Sequence, residues 1–81
     1  MQREDIFAVV RSALAEALEL PEESIEEDSR FKEDLEADSL DLVELLLEME
    51  KQYSFKVSDD EAAEILTVAD AVDLILQKAA A

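Results

Sequence analysis

The sequence predicts an all-α fold: a small bundle of three main helices and a short fourth, with a long first loop. Three observations carry that prediction. Apolar residues recur at helical spacing in three separate stretches. Helix-starting residues (Asp38, Ser58, Thr67) stand just ahead of the second and later apolar stretches. No stretch alternates apolar and polar residues as a half-buried strand does. At 81 residues the chain is read as one domain spanning 1–81. A domain of this size hides only about 60–65% of its unfolded surface, so its core is made of a few helix faces.

The first helix is expected over residues 4–18. Ile6, Phe7, Val10, Ala13, Leu14, Ala17 and Leu18 fall on one side, with Glu4, Arg11 and Glu16 available to the other. Pro21 follows soon after, as is common beyond a helix end. A short helical turn fits residues 21–25, with Pro21 in its first turn. The acidic connection over residues 19–38 holds Leu20, Ile25, Phe31 and Leu35 at spacings too irregular for one helix. A loop of that length needs such anchors in the core. The chain has no Gly, so its turns fall to Asp, Ser and Pro chemistry.

The second helix is expected over residues 39–53, with Asp38 as N-cap. At about 100° per residue, Leu42, Leu45, Leu46, Met49 and Tyr53 share one face. Leu40, Val43 and Leu47 share another, nearly opposite, while Asp41, Glu44 and Glu48 occupy a flank between them. The outer stripe can either cover the long loop or serve as an apolar contact strip for other proteins.

Ser58-Asp59-Asp60-Glu61 has the capping-box pattern, with Val57 and Ala62 placed as a hydrophobic staple. It opens a short helix over residues 59–64. Thr67-Val68-Ala69-Asp70 marks a further start, with Asp at the third position. The last helix is expected over residues 68–78. It buries some of Val68, Ala71, Val72, Leu74, Ile75 and Leu76, Lys78 suits its end, and residues 79–81 fray.

Charge narrows the function. There are 23 acidic and 7 basic residues, a formal net charge of −16. Nucleic acid and anionic membrane surfaces are repelled, and basic protein surfaces are attracted. The absence of Cys excludes disulfides, thiolate metal sites and a protein-borne thiol nucleophile. The absence of His removes the commonest general base. No apolar run approaches a membrane span and no secretory signal is visible, so a cytoplasmic protein without membrane insertion is expected; a monomer is expected as well. An EF-hand loop needs a central Gly and alternating ligands, which this chain lacks, so no specific metal site is expected.

One stretch carries chemistry. Over residues 33–45 an acidic loop runs into an apolar helix, and Ser39 stands in the first turn. A helix N-terminus favours a negative group, so a phosphoester on Ser39 suits that position. Asp38-Ser39-Leu40 resembles the phosphopantetheine attachment motif of the acyl carrier proteins. Glu33-Asp34-Leu35 ahead of it and Asp41, Val43, Glu44 and Leu45 behind it are similar too. So are Ser58-Asp59-Asp60-Glu61-Ala62 and Ile65-Leu66-Thr67-Val68, which look like the family's third-helix region.

The resemblance implies an acyl-carrier-like bundle that is not an enzyme. It would carry acyl intermediates as thioesters on a 4'-phosphopantetheine arm and deliver them to enzymes of fatty-acid synthesis. It assigns Ser39 as the attachment site, loaded from coenzyme A by a holo-carrier-protein synthase using Mg²⁺. It places Asp38, Asp41, Glu44, Glu48 and Glu50 on an acidic surface that meets basic patches on that synthase and on acyl-processing enzymes. Leu40, Val43 and Leu47 are the adjoining apolar contacts. An acyl pocket near Phe31, Leu45, Leu46 and Ile65 is implied inside the bundle.

The chain also departs from the family. Glu36 stands where Gly is usual, denying the turn before Asp38 an easy positive φ. Lys51 falls where an acid is common, and Leu42 and Glu48 replace smaller residues. A specialised carrier of polyketide or lipid-modifying pathways is therefore the alternative, with an unmodified acidic adaptor third. The chemistry agrees with a carrier. A protein without Cys forms no thioester from its own side chains, and Ser39 has no neighbouring His or Lys to activate it, so another enzyme must modify it.

Overall fold

The computed structural model describes residues 2–80, and α-helices account for most of them. Helix α1 spans Arg3–Leu18 and α2 spans Ser39–Tyr53. Helix α3 spans Asp59–Ala63 and α4 spans Val68–Ala80. A 3₁₀ turn covers Glu22–Ser24 in the long first loop. Pro21 caps that turn from outside, with ψ 143°, where the sequence suggested a place within it. Helix α4 continues through Ala79 and Ala80, where fraying was expected; Ala81 lies outside the described residues. Among the described residues, no helix is long and apolar enough to cross a membrane.

The buried residues form a core cluster. Ile6, Val10 and Leu14 repeat every fourth position along α1, which puts them on one face. Val68, Ala71, Val72 and Ile75 do the same for α4, and Leu45, Leu46 and Met49 for α2. Helix α1 packs against both α4 and α2. Of the loop anchors, Ile25, Phe31 and Leu35 are buried and Leu20 packs at the edge of the core.

Backbone hydrogen bonds sew the loop to the α3–α4 junction. Phe31 N–H donates to the Leu66 carbonyl at 3.0 Å, and Val68 N–H to the Ser29 carbonyl at 3.0 Å. Ala69 N–H donates to the Glu27 carbonyl at 2.7 Å. Arg30 and Thr67 thereby form an isolated antiparallel bridge that residue patterning did not reveal. Arg3 adds ion pairs from α1, to Glu27 in the loop at 2.5 Å and to Asp73 on α4.

Both capping signals of the second half are realised. The Ser58 hydroxyl accepts from Glu61 N–H at 3.1 Å, and Glu61 accepts from Ser58 N–H at 3.0 Å. The Ser58 N–H, then Lys78 at 2.9 Å, hold the Glu61 carboxyl below the usual range. Thr67 and Asp70 exchange the same pair of bonds at the start of α4.

Without Gly, three other residues among those described take left-handed backbone. Glu19 and Ser54 do so at the ends of α1 and α2, with φ 56° and 58°. Glu36 does so in the turn before α2, with φ 54°. The turn therefore keeps the positive φ that Gly would supply easily and forces a residue with a Cβ into it. The reason lies on either side: Leu35 and Ala37 are both buried, while Glu36 is exposed. A left-handed non-Gly residue costs roughly 1–2 kcal/mol, part of which Gly gives back through unfolded-state entropy. Glu36→Gly is expected to stabilise the fold by about 1 kcal/mol, raising the melting point by about 4–8 °C. Glu36→Gln removes the same charge and keeps the Cβ. Equal melting shifts for the two variants would show that charge, not backbone strain, is relieved.

Candidate functional site

The loop delivers the chain to α2 through a short relay of bonds. Asp34 N–H and Leu35 N–H both donate to the Arg30 carbonyl, at 2.9 and 3.0 Å. Arg30 N–H returns a bond to Asp34 Oδ2 at 2.8 Å, and this bond, aided by the Arg30 guanidinium, holds the Asp34 carboxyl below its usual range. Ala37 N–H then donates to the Phe31 carbonyl at 2.7 Å. Because Phe31 is itself bonded to Leu66, the start of α2 is tied to the α3–α4 junction.

Asp38 is the N-cap, with extended backbone. Its Oδ1 accepts from Asp41 N–H at 2.9 Å, and Asp41 Oδ2 accepts from Asp38 N–H at 3.1 Å. The pair is a capping box built from two aspartates. Ser39 is the first helical residue and is exposed. The N–H groups of Ser39 and Leu40 have no intrahelical acceptor at this position. A hydroxyl, free terminal donors and the positive end of the helix dipole therefore meet at one solvent-facing point.

The outer stripe of α2 faces solvent. Leu40 is 62% exposed, Val43 44% and Leu47 51%, so they do not cover the long loop. Glu44 and Glu48 are exposed beside them. Asp38 and Asp41 are engaged in the box, and Asp41 is half-buried. Glu50 is half-buried, and its carboxylate accepts from Val57 N–H at 2.6 Å, which ties the end of α2 to the following loop. The acidic residues anticipated on this surface thus divide. Glu44 and Glu48 are uncommitted among the described residues, whereas Asp38, Asp41 and Glu50 also hold backbone.

Leu66 is 67% exposed beside the carbonyl that binds Phe31, an apolar surface residue that helical periodicity could not find because it precedes α4. Inside, Phe31, Leu45, Leu46 and Ile65 are all buried in the same core cluster. A groove of about 280 Å³ opens between α1 and α2, lined by Leu14, Leu18 and Leu45 with Glu16, Asp41, Glu44 and Glu48 among its other residues. Leu45 is the one residue of the anticipated acyl pocket that reaches it.

Comparison with known proteins decides the family. Residues 8–75 match the family described as phosphopantetheine attachment site. The chain is 45% identical over 78 residues to the acyl carrier protein of Borreliella burgdorferi, covering 96% of this chain and 98% of that one. The chain belongs to the acyl carrier protein family. It is also 42% identical over 77 residues to the acyl carrier protein of Rubrobacter xylanophilus, with 95% of each chain covered. The crystal structure of the acyl carrier protein from Thermotoga maritima superposes with a TM-score of 0.83 at 28% identity, over 96% of this chain and 91% of that one. The acyl carrier protein from Enterococcus faecalis gives 0.79 at 31% identity, over 96% and 99%.

The cofactor of such a carrier is 4'-phosphopantetheine, joined by a phosphodiester. The residues at the start of α2 suit that group. Ser39 is exposed, a helix terminus at this point favours a negative group, and both neighbouring aspartates are turned onto backbone N–H groups.

Proposed function

We propose that residues 1–81 act as one monomeric, cytoplasmic carrier domain whose Ser39 bears the 4'-phosphopantetheine arm. The carrier holds acyl intermediates on that arm and delivers them to enzymes of fatty-acid synthesis. The observation that carries the reading is the exposed Ser39 hydroxyl at the N-terminus of α2, inside the Asp38–Asp41 box, in a member of this family. When bound, the arm supplies the thiol the chain lacks, and its thioester keeps the acyl carbonyl reactive.

The chain's own part in loading is to present a nucleophile. The Ser39 Oγ–phosphorus bond forms as the pyrophosphate bond of coenzyme A breaks. The serine proton passes to a base on the holo-carrier-protein synthase, and adenosine 3',5'-bisphosphate leaves. Glu44 and Glu48 attract the synthase and acyl-processing enzymes through their basic patches. Leu40, Val43 and Leu47 give the docked pair its apolar contact, and Asp38 and Asp41 hold the helix end that presents the serine. Glu50 supports the far end of the same surface. The acyl chain enters among Phe31, Leu45, Leu46 and Ile65.

Intact mass tests the reading. With coenzyme A, Mg²⁺ and a carrier-protein synthase the chain should gain one phosphopantetheinyl unit, mapped to Ser39 by fragmentation. Ser39→Ala should abolish the gain and leave the helical spectrum unchanged. Loading of the Ala variant, or modification of Ser29 or Ser54 in the natural chain, would remove Ser39 from its role.

A further inference from the structure

The charge along α2 changes sign. Arg3, Arg11, Arg30 and Lys78 each face a carboxylate. Three exposed lysines have no ion-pair partner among the described residues: Lys32 in the first loop, and Lys51 and Lys56 at and just beyond the end of α2. Lys51 and Lys56 line an open hollow of about 380 Å³ at the end of α2, together with Leu47, Glu50, Ser54 and Phe55. The one acid there is Glu50, whose carboxylate accepts from Val57 N–H and keeps its charge, so the hollow sets two cations against one anion.

The hollow continues the outer stripe. Lys51 is eleven positions after Leu40, about 20° from it around the helix and about 18 Å along the axis from Ser39. Leu47 belongs to both the stripe and the hollow. Lys51 gains something from the helix dipole in the last turn of α2. Lys56 lies in no helix, so that explanation does not reach it. On a chain of net charge −16 the hollow therefore holds a local excess of one positive charge, felt over a few Å where screening has not yet erased it.

Resting on the carrier reading above, we propose that the partner surface is bipolar: acidic at Glu44 and Glu48, basic at Lys51 and Lys56, with Leu40, Val43 and Leu47 alongside. The fitting partner is an acyl-processing enzyme that carries an acidic patch about 5–11 Å along the helix direction from its basic one, the span from Lys51 back to Glu48 and Glu44. Such an arrangement fixes the direction of docking and rejects partners that are basic throughout.

Two synthetic helical peptides with the same leucine stripe test this at 0.1 M salt. One carries Lys at both ends, the other Lys at one end and Glu at the other. Net charge alone favours the uniformly basic peptide. The bipolar peptide should nevertheless bind the natural chain at least threefold more tightly and shift the amide resonances of Leu47, Phe55 and Lys56. The double variant Lys51→Glu with Lys56→Glu should reverse that preference, and Lys51→Gln with Lys56→Gln should abolish it. Tighter binding of the basic peptide to the natural chain, no binding of either, or shifts confined to Glu44 and Glu48 would overturn the bipolar surface. The same samples are assayed for phosphopantetheine loading. A natural chain that fails to load overturns the carrier reading; one that loads and ignores the bipolar peptide overturns this inference alone.

Discussion

Leu46→Asp is expected to unfold the chain, and Leu47→Asp, one residue on, to leave it folded and poorly loaded. The two side chains differ by one step around α2, yet Leu46 is 4% exposed and Leu47 51%. An ionised carboxylate at position 46 would enter the core among Leu45, Met49 and their neighbours, with no cation supplied. Burying an unpaired charge costs several kcal/mol, and a domain has only about 5–15 kcal/mol of stability, at the lower end for a chain this small. At position 47 the charge stays in water, so stability changes by about 0.5 kcal/mol. What Leu47 loses is apolar contact with a partner. Removing about half a leucine's burial is worth about 1 kcal/mol or more, close to a tenfold loss of affinity per 1.4 kcal/mol. Val43→Asp should behave like Leu47→Asp. Thermal melts and loading rates on the three variants check the result. Collapse of the Leu47 variant would mean that the stripe is structural, and unimpaired loading would mean that partners do not use it.

Helix geometry put Leu46 and Leu47 on different faces in the sequence, but whether the outer face covered the long loop took the fold to decide. The bounds of α2 were legible without the fold. Asp38 marks where periodicity starts, and periodicity stops at Tyr53. The loop anchors could be named, since an acidic segment with isolated apolar residues has few uses for them except burial.

What stayed hidden depends on partners distant in sequence or on backbone angles. Nothing near Arg3 announces Glu27 or Asp73, which lie 24 and 70 positions away. The role of Glu50 at Val57 N–H requires the fold of the 54–58 loop. Asp41 looked like a surface charge because it is itself an aspartate, shorter than the Glu that usually fills the third position of a capping box. Glu36 shows a different limit. Its side chain says that left-handed backbone is costly, and only the burial of Leu35 and Ala37 says that the turn is made regardless.

Melting temperature and loading rate should move in opposite directions across one salt series. Eight carboxylates and no Lys or Arg lie between positions 33 and 50. Their mutual repulsion opposes compaction. Salt shrinks the Debye length from about 30 Å at 0.01 M to about 10 Å at 0.1 M and weakens that repulsion. It also weakens the ion pairs of Arg3, Arg11, Arg30 and Lys78, but exposed pairs are worth only about 0–1 kcal/mol each. With a net charge of −16 the repulsive term wins, so the melting point should rise. Each gain of about 1 kcal/mol is worth about 4–8 °C at this size. Millimolar Mg²⁺ should add to the rise as diffuse screening, since no group of three acidic residues stands ready to hold an ion among the described residues. Loading depends on attraction between unlike surfaces, so its rate should fall with salt by about tenfold. Glu44→Lys with Glu48→Lys should lower the rate at low salt and flatten its salt dependence while the fold stays intact. Asp41 is the wrong position for that test, because Asp41→Lys also opens the capping box and costs about 1 kcal/mol of helix stability. If melting point and loading rate rise together, or the Glu44 and Glu48 variant loads as fast as the natural chain, the acidic face of α2 is solvated surface and does not recruit the synthase.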